Sequence, residues 1–93
     1  MSRDAVIVST ARTPLTKAAR GVFNNTTGAT LGAYSIKAAV ERAGLEGGEI
    51  DDVIMGCAVQ QGSTGGNVAR LAALRAGLPV SVPAMTIDRQ CSS

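Results

Sequence analysis

Apolar positions along this chain fall into short blocks whose spacing changes from block to block. Ala5-Val6-Ile7-Val8 is a continuous, largely β-branched run, which predicts a strand buried on both faces. Residues 12–28 are polar and are broken by Thr13-Pro14 and by Asn24-Asn25-Thr26-Thr27, so a loop is expected there. Ala29, Ala33, Ile36, Val40 and Ala43 then recur at helical spacing, with Lys37 and Glu41 on a more exposed face. Gly44 should end this helix, with Arg42 in the last turn and Leu45 placed to close a Schellman motif. The run Val53-Ile54-Met55-Gly56-Cys57-Ala58-Val59 predicts a second strand, and residues 60–66 a flexible loop. Asn67 is a good N-cap for a second helix lined by Val68, Leu71, Ala72 and Leu74. Arg75-Ala76-Gly77-Leu78 repeats the stop signal of the first helix, and Pro79 blocks continuation. A last apolar run, Ala84-Met85-Thr86-Ile87, predicts a strand that leads towards Cys91.

Strands alternating with helices argue for an α/β fold with a parallel sheet and right-handed crossovers. Three strands and two helices in βαβαβ order cannot cover both faces of such a sheet. The 93 residues therefore read as an incomplete piece of a larger domain. Aromatic residues are nearly absent, with one Tyr and one Phe, so the core must come from Ala, Val, Leu, Ile and Met. Small residues of this kind let helices approach a sheet closely. The net charge is +2 with both signs scattered, which lacks the clustered cations and aromatic platforms of a nucleic-acid site. The apolar run at residues 5–8 is too short for a signal segment or a membrane span, so no membrane association and a cytoplasmic location are expected.

The chemistry concentrates at Asp88-Arg89-Gln90-Cys91-Ser92-Ser93. A cysteine followed by two small hydroxyl residues, just past a strand, has the layout of a nucleophile placed where a strand hands over to a helix. Free backbone N–H groups at a helix start favour a thiolate. Cys57, set among Gly56, Ala58 and Val59, reads as a packing residue. Without a secretory signal the two cysteines read as free thiols. The chain has no His, which excludes a complete Cys-His or Ser-His site and any His-ligated zinc within these residues, and no metal site is expected. Gly62-Ser63-Thr64-Gly65-Gly66-Asn67 matches neither G-x-G-x-x-G nor a P-loop, and reads as a crossover ending in an N-cap. Arg12, Lys17 and Arg20 make a basic loop, of the kind that is solvated or meets a neighbouring subunit.

An ordered set of strings carries a family resemblance. Val6-Ile7-Val8-Ser9-Thr10-Ala11-Arg12-Thr13-Pro14 is similar to the first strand and loop of thiolases. Arg42-Ala43-Gly44-Leu45, Asp52-Val53-Ile54-Met55-Gly56, Asn67-Val68-Ala69-Arg70, Ala76-Gly77-Leu78-Pro79 and Val82-Pro83-Ala84 follow in that family's order. Arg89-Gln90-Cys91-Ser92-Ser93 completes the set, so the resemblance covers the whole chain. Arg20-Gly21-Val22-Phe23, and a Ser where the biosynthetic branch tends to have Gly after the cysteine, resemble the degradative 3-ketoacyl-CoA branch. The chain departs from the family pattern at Asp88, where Asn is usual, and at Thr16, where many members have Gly.

The resemblance implies the N-terminal portion, residues 1–93, of the thiolase N-terminal domain within a layered α/β/α fold. It implies an acetyl-CoA C-acyltransferase that cleaves 3-ketoacyl-CoA to acetyl-CoA and a shortened acyl-CoA, as in β-oxidation of fatty acids. Cys91 would be the nucleophile, would carry the acyl thioester, and would lend its backbone N–H to an oxyanion hole. Coenzyme A enters as co-substrate, no cofactor is permanently bound, and the protein is a homo-oligomer, dimer or tetramer. The family's catalytic His and second cysteine are not among these residues, so the 93 residues alone are expected to be inactive. Three other readings stand beside this one. An acetoacetyl-CoA-specific biosynthetic thiolase shares most of the strings. A ketosynthase-type condensing enzyme also has Ser-Ser after its cysteine, but Arg12-Thr13-Pro14 and Arg89-Gln90 speak against it. A non-catalytic nucleotide-binding module would use the loop at residues 62–66.

Overall fold

The computed structural model describes residues 2–93. Helix α1 spans Gly28–Ala43 and begins where the Thr27 hydroxyl accepts the N–H of Thr30 at 3.3 Å, satisfying one of the free donors of the first turn. It ends in a full Schellman motif. Leu45 N–H bonds Val40 C=O at 3.3 Å and Gly44 N–H bonds Glu41 C=O at 3.0 Å, with Gly44 left-handed at φ 72°. The Glu49 carboxylate then accepts Glu46 N–H at 2.7 Å across a short 3-10 turn, Gly47–Glu49.

Strand β1, Val53–Gly56, is followed by a second 3-10 turn, Gly62–Thr64, by helix α2, Val68–Arg75, and by strand β2, Ala84–Ile87. β1 and β2 pair in parallel with Val53 opposite Ala84 and Gly56 opposite Ile87, so β1–α2–β2 is a βαβ unit with α2 as the crossover. The second helix stops as the first does. Leu78 N–H bonds Ala73 C=O at 3.1 Å, Gly77 N–H bonds Leu74 C=O at 3.0 Å, and Gly77 lies at φ 90°. The repeated Arg-Ala-Gly-Leu string is therefore the same cap used twice.

The core sits between the two helices and one face of the sheet. Ala73, Leu78 and Val82 form a buried cluster packed by Ile36, Val40, Ile50, Val53 and Ala84. Ala29, Ala33, Ala69 and Ala72 are also buried, which bears out a core of small residues that brings α1 and α2 close together. The opposite face of the sheet is open, with Ile54 and Met85 side by side and 57 % and 48 % exposed.

Residues 5–8 correct the sequence reading. They form no strand, and Val6, Ile7 and Val8 are 74 %, 86 % and 70 % exposed rather than buried. β-branched residues supply a preference for extended backbone, but a strand exists only where neighbouring backbone receives its N–H and C=O groups. Just past this segment the chain is tied to α1 through the Arg42 guanidinium, whose Nη1 donates to Thr10 C=O at 2.8 Å. The second strand is also shorter than its apolar run. Regular pairing stops at Gly56, although Cys57 N–H still bonds Ile87 C=O at 2.9 Å. Among the described residues no helix is long and apolar enough to cross a membrane.

Candidate active site

β2 delivers the cysteine. A polar cluster fixes this strand to the start of α2. The Thr86 hydroxyl donates to Asn67 Oδ1 at 2.7 Å and accepts Ala69 N–H at 3.0 Å, while Asn67 Nδ2 donates to Ala84 C=O at 3.1 Å. Asn67 Oδ1 also caps α2 by accepting Arg70 N–H at 3.4 Å, as its position in the sequence predicts. Asn67 holds a left-handed conformation, φ 62°, that few residues other than Gly, Asn and Asp adopt readily. Arg70 braces the connection from the other side, with its guanidinium on the carbonyls of Val80, at 2.9 Å, and Val82.

Past Ile87 the chain leaves the sheet in two overlapping turns. Ser92 N–H bonds Arg89 C=O at 3.0 Å and Ser93 N–H bonds Gln90 C=O at 3.1 Å. Cys91 is a central residue of both turns and is exposed. Gln90, immediately before it, is left-handed at φ 54°, a conformation that costs a non-glycine residue on the order of 1–2 kcal/mol. Two side chains hold that bend. The Asp88 carboxylate accepts Gln90 N–H at 2.7 Å, and the Ser93 hydroxyl accepts Arg89 N–H and faces Asp88 Oδ1 at 3.5 Å.

This geometry accounts for the departure at Asp88. Its Oδ1 closes an Asx-turn over Gln90, and the side-chain oxygen of an Asn at that position can accept the same N–H. Its contribution is to accept the Gln90 N–H, which sets the direction in which the chain approaches Cys91.

Cys57 is half-buried and its thiol donates to Val59 C=O at 3.2 Å. It lies just beyond β1, not within it, and takes no part in the turn around Cys91. The Gly62–Thr64 segment is likewise internally satisfied. The Thr64 hydroxyl bonds Val59 C=O at 2.6 Å, and Gly65 N–H bonds Gly62 C=O at 3.1 Å. Arg12 lies beside Thr13, Pro14 and Phe23 in a groove against Thr30 and Tyr34 of α1, away from the cysteine turn.

Sequence reasoning missed one contributor. Gly56, at the end of β1, lies so close to Ser93 that a side chain there would meet its backbone. In the sequence Gly56 closes the string Asp52-Val53-Ile54-Met55-Gly56, and nothing in that string indicates its close approach to residue 93.

Comparison with known proteins places these features in a family. The 3-ketoacyl-CoA thiolase of Bacillus subtilis (strain 168) is 47 % identical over 91 residues, covering 98 % of this chain and 23 % of that protein. The acetyl-CoA acetyltransferase of Cupriavidus necator is 50 % identical over 90 residues, covering 97 % of this chain and 22 % of that protein. The crystal structure of the Bacillus anthracis acetyl-CoA acetyltransferase superposes with a TM-score of 0.87 at 41 % identity, over 95 % of this chain and 22 % of that one. The chain thus spans less than a quarter of the length of these relatives. The α/β arrangement of two helices on a parallel pair of strands is a part of the fold they share. Residues 5–93 match the N-terminal domain of thiolases, and the chain belongs to that family.

Proposed function

We propose that the full-length protein is an acetyl-CoA C-acyltransferase that cleaves 3-ketoacyl-CoA, with Cys91 as its nucleophile. The observation that carries this reading is the position of Cys91, exposed at the centre of a tight turn directly after β2. In the first step the Cys91 thiolate attacks the keto carbon of the substrate. The bond between the second and third carbons breaks, and its electron pair goes to the second carbon as an enolate stabilised by the CoA thioester. Protonation of that carbon releases acetyl-CoA and leaves the shortened acyl group on Sγ. In the second step the thiol of a free CoA, once deprotonated, attacks the acyl carbonyl and returns Cys91 to thiolate. The first step trades the carbon–carbon bond for a thioester on Cys91, and the second exchanges that thioester for the one of acyl-CoA, so the acyl-enzyme is not a deep trap.

The oxyanions of both steps need N–H donors fixed in advance, and the Cys91 backbone N–H is the donor this chain contributes. The test is turnover by the full-length protein with 3-ketoacyl-CoA substrates of graded length and free CoA. One acetyl-CoA released per substrate consumed is the expected result. Turnover only with carrier-protein-bound acyl donors would move the protein to the condensing enzymes. A second reading, an acetoacetyl-CoA-specific enzyme, is favoured by relatives named acetyl-CoA acetyltransferase at comparable identity, and turnover confined to acetoacetyl-CoA would select it.

The assembly is proposed to be a homo-oligomer, dimer or tetramer, in which a second copy covers residues 84–90. The exposed Met85 and the polar Asp88-Arg89-Gln90 stretch are the surface available to it. Sedimentation of active full-length protein as a monomer at micromolar concentration contradicts this assembly.

A further inference from the structure

We propose that Gly56 is a positioning residue for Cys91, an inference that rests on the nucleophile reading above. A Cβ built on Gly56 would collide with the carbonyl carbon of Ser93 and would stand 3.1 Å from both its Cα and its oxygen. These are backbone atoms, so no side-chain rotation relieves the contact. Carbon atoms settle at about 3.5–4.0 Å from one another, so any side chain at position 56 displaces the Ser93 backbone by on the order of 1 Å.

Ser93 is the last residue of the turn that holds Cys91. Its N–H bonds Gln90 C=O at 3.1 Å, and its hydroxyl accepts Arg89 N–H. A shift of Ser93 is therefore transmitted to both residues that precede the cysteine. The other side of the turn is anchored to the same place, because Gly56 pairs with Ile87 and Cys57 N–H bonds Ile87 C=O at 2.9 Å. The end of β1 fixes where the chain leaves the sheet, and its missing side chain leaves room for the chain to fold back. Misplacing a reacting group by about 1 Å costs on the order of 100-fold in rate.

The experiment uses the full-length protein and four forms: wild type, Gly56→Ala, Gly48→Ala and Cys91→Ala. Gly48 is the control glycine, since a Cβ there meets nothing within 4 Å. In Gly56→Ala the expected result is a fall of about 100-fold in kcat and in the rate at which 3-ketoacyl-CoA acylates Cys91. KM, the melting temperature and alkylation of Cys57 should stay close to wild type, which separates misplacement from general damage. Gly48→Ala should match wild type throughout. Wild-type kcat in Gly56→Ala overturns the positioning role while Cys91→Ala remains inactive. An active Cys91→Ala protein overturns the nucleophile reading itself. Should Gly56→Ala not fold, an experimental structure of the wild-type enzyme decides. Ser93 backbone lying more than 4 Å from a Cβ built at Gly56 overturns the proposal, and the close approach supports it.

Discussion

Replacing Cys91 with alanine in the full-length protein should reduce acyl transfer by on the order of 1,000-fold or more, while Cys57→Ala should leave most of it. The two thiols differ in what they can reach. Cys91 is exposed in a turn held from both sides by Asp88 and Ser93, so a substrate carbonyl can approach Sγ. Cys57 is half-buried with its thiol engaged on Val59 C=O at 3.2 Å. A small alkylating agent should consequently modify Cys91 first, and activity should fall in step with that modification. Prior incubation with acyl-CoA should slow both, because the thioester occupies the same sulfur. Peptide mapping after brief iodoacetamide treatment reads the order of labelling directly. Modification of Cys57 ahead of Cys91, or activity retained in fully Cys91-alkylated protein, would remove Cys91 from the chemistry.

Asn67→Ala should destabilise the protein by about 3 kcal/mol. Three losses combine. The cap on Arg70 N–H disappears, which alone costs about 0.5–2 kcal/mol. The Thr86 hydroxyl loses its acceptor and Ala84 C=O loses its donor, at about 0.5–1.5 kcal/mol each. Alanine must also hold a φ of 62°, which its Cβ resists more than Asn does. Asn67→Gly separates these effects. It keeps the backbone conformation at low cost and loses only the side-chain bonds, so it should fall between wild type and Ala. Urea unfolding of the three proteins gives the ordering. A loss below about 0.5 kcal/mol for Asn67→Ala would place it among ordinary surface substitutions and deny that this cluster holds β2 to α2.

What the sequence revealed of the fold was whatever is decided locally. Both helix stops were legible because Arg-Ala-Gly-Leu carries its own mechanism, a left-handed Gly and an apolar residue after it. The Asn67 cap and the strand at Ala84–Ile87 were legible for the same reason. The strand expected at residues 5–8 did not form, because β-branched residues state a preference and the pairing partner is a matter of tertiary structure. Nothing at Asn67 or Thr86 indicated that the two side chains would bond each other across 19 positions of sequence.

The site divides along the same line. Cys91 stood out through the string around it and its place after a strand. Asp88 was visible only as a departure from the family pattern, and its hydrogen bond to Gln90 N–H appears once the turn is folded. Gly56 stood only as the end of an apolar string, since its contribution is an absent side chain facing residue 93, far along the chain.

An acyl group resting on Cys91 during turnover, as proposed above, is read from intact mass. Full-length protein mixed with a 3-ketoacyl-CoA and no free CoA should gain the mass of the shortened acyl group. Digestion should locate that mass on the peptide containing Cys91, and addition of CoA should remove it as acyl-CoA. Adduct on the Cys57 peptide, or steady turnover with no covalent adduct on any cysteine, would rule out an acyl-Cys91 intermediate.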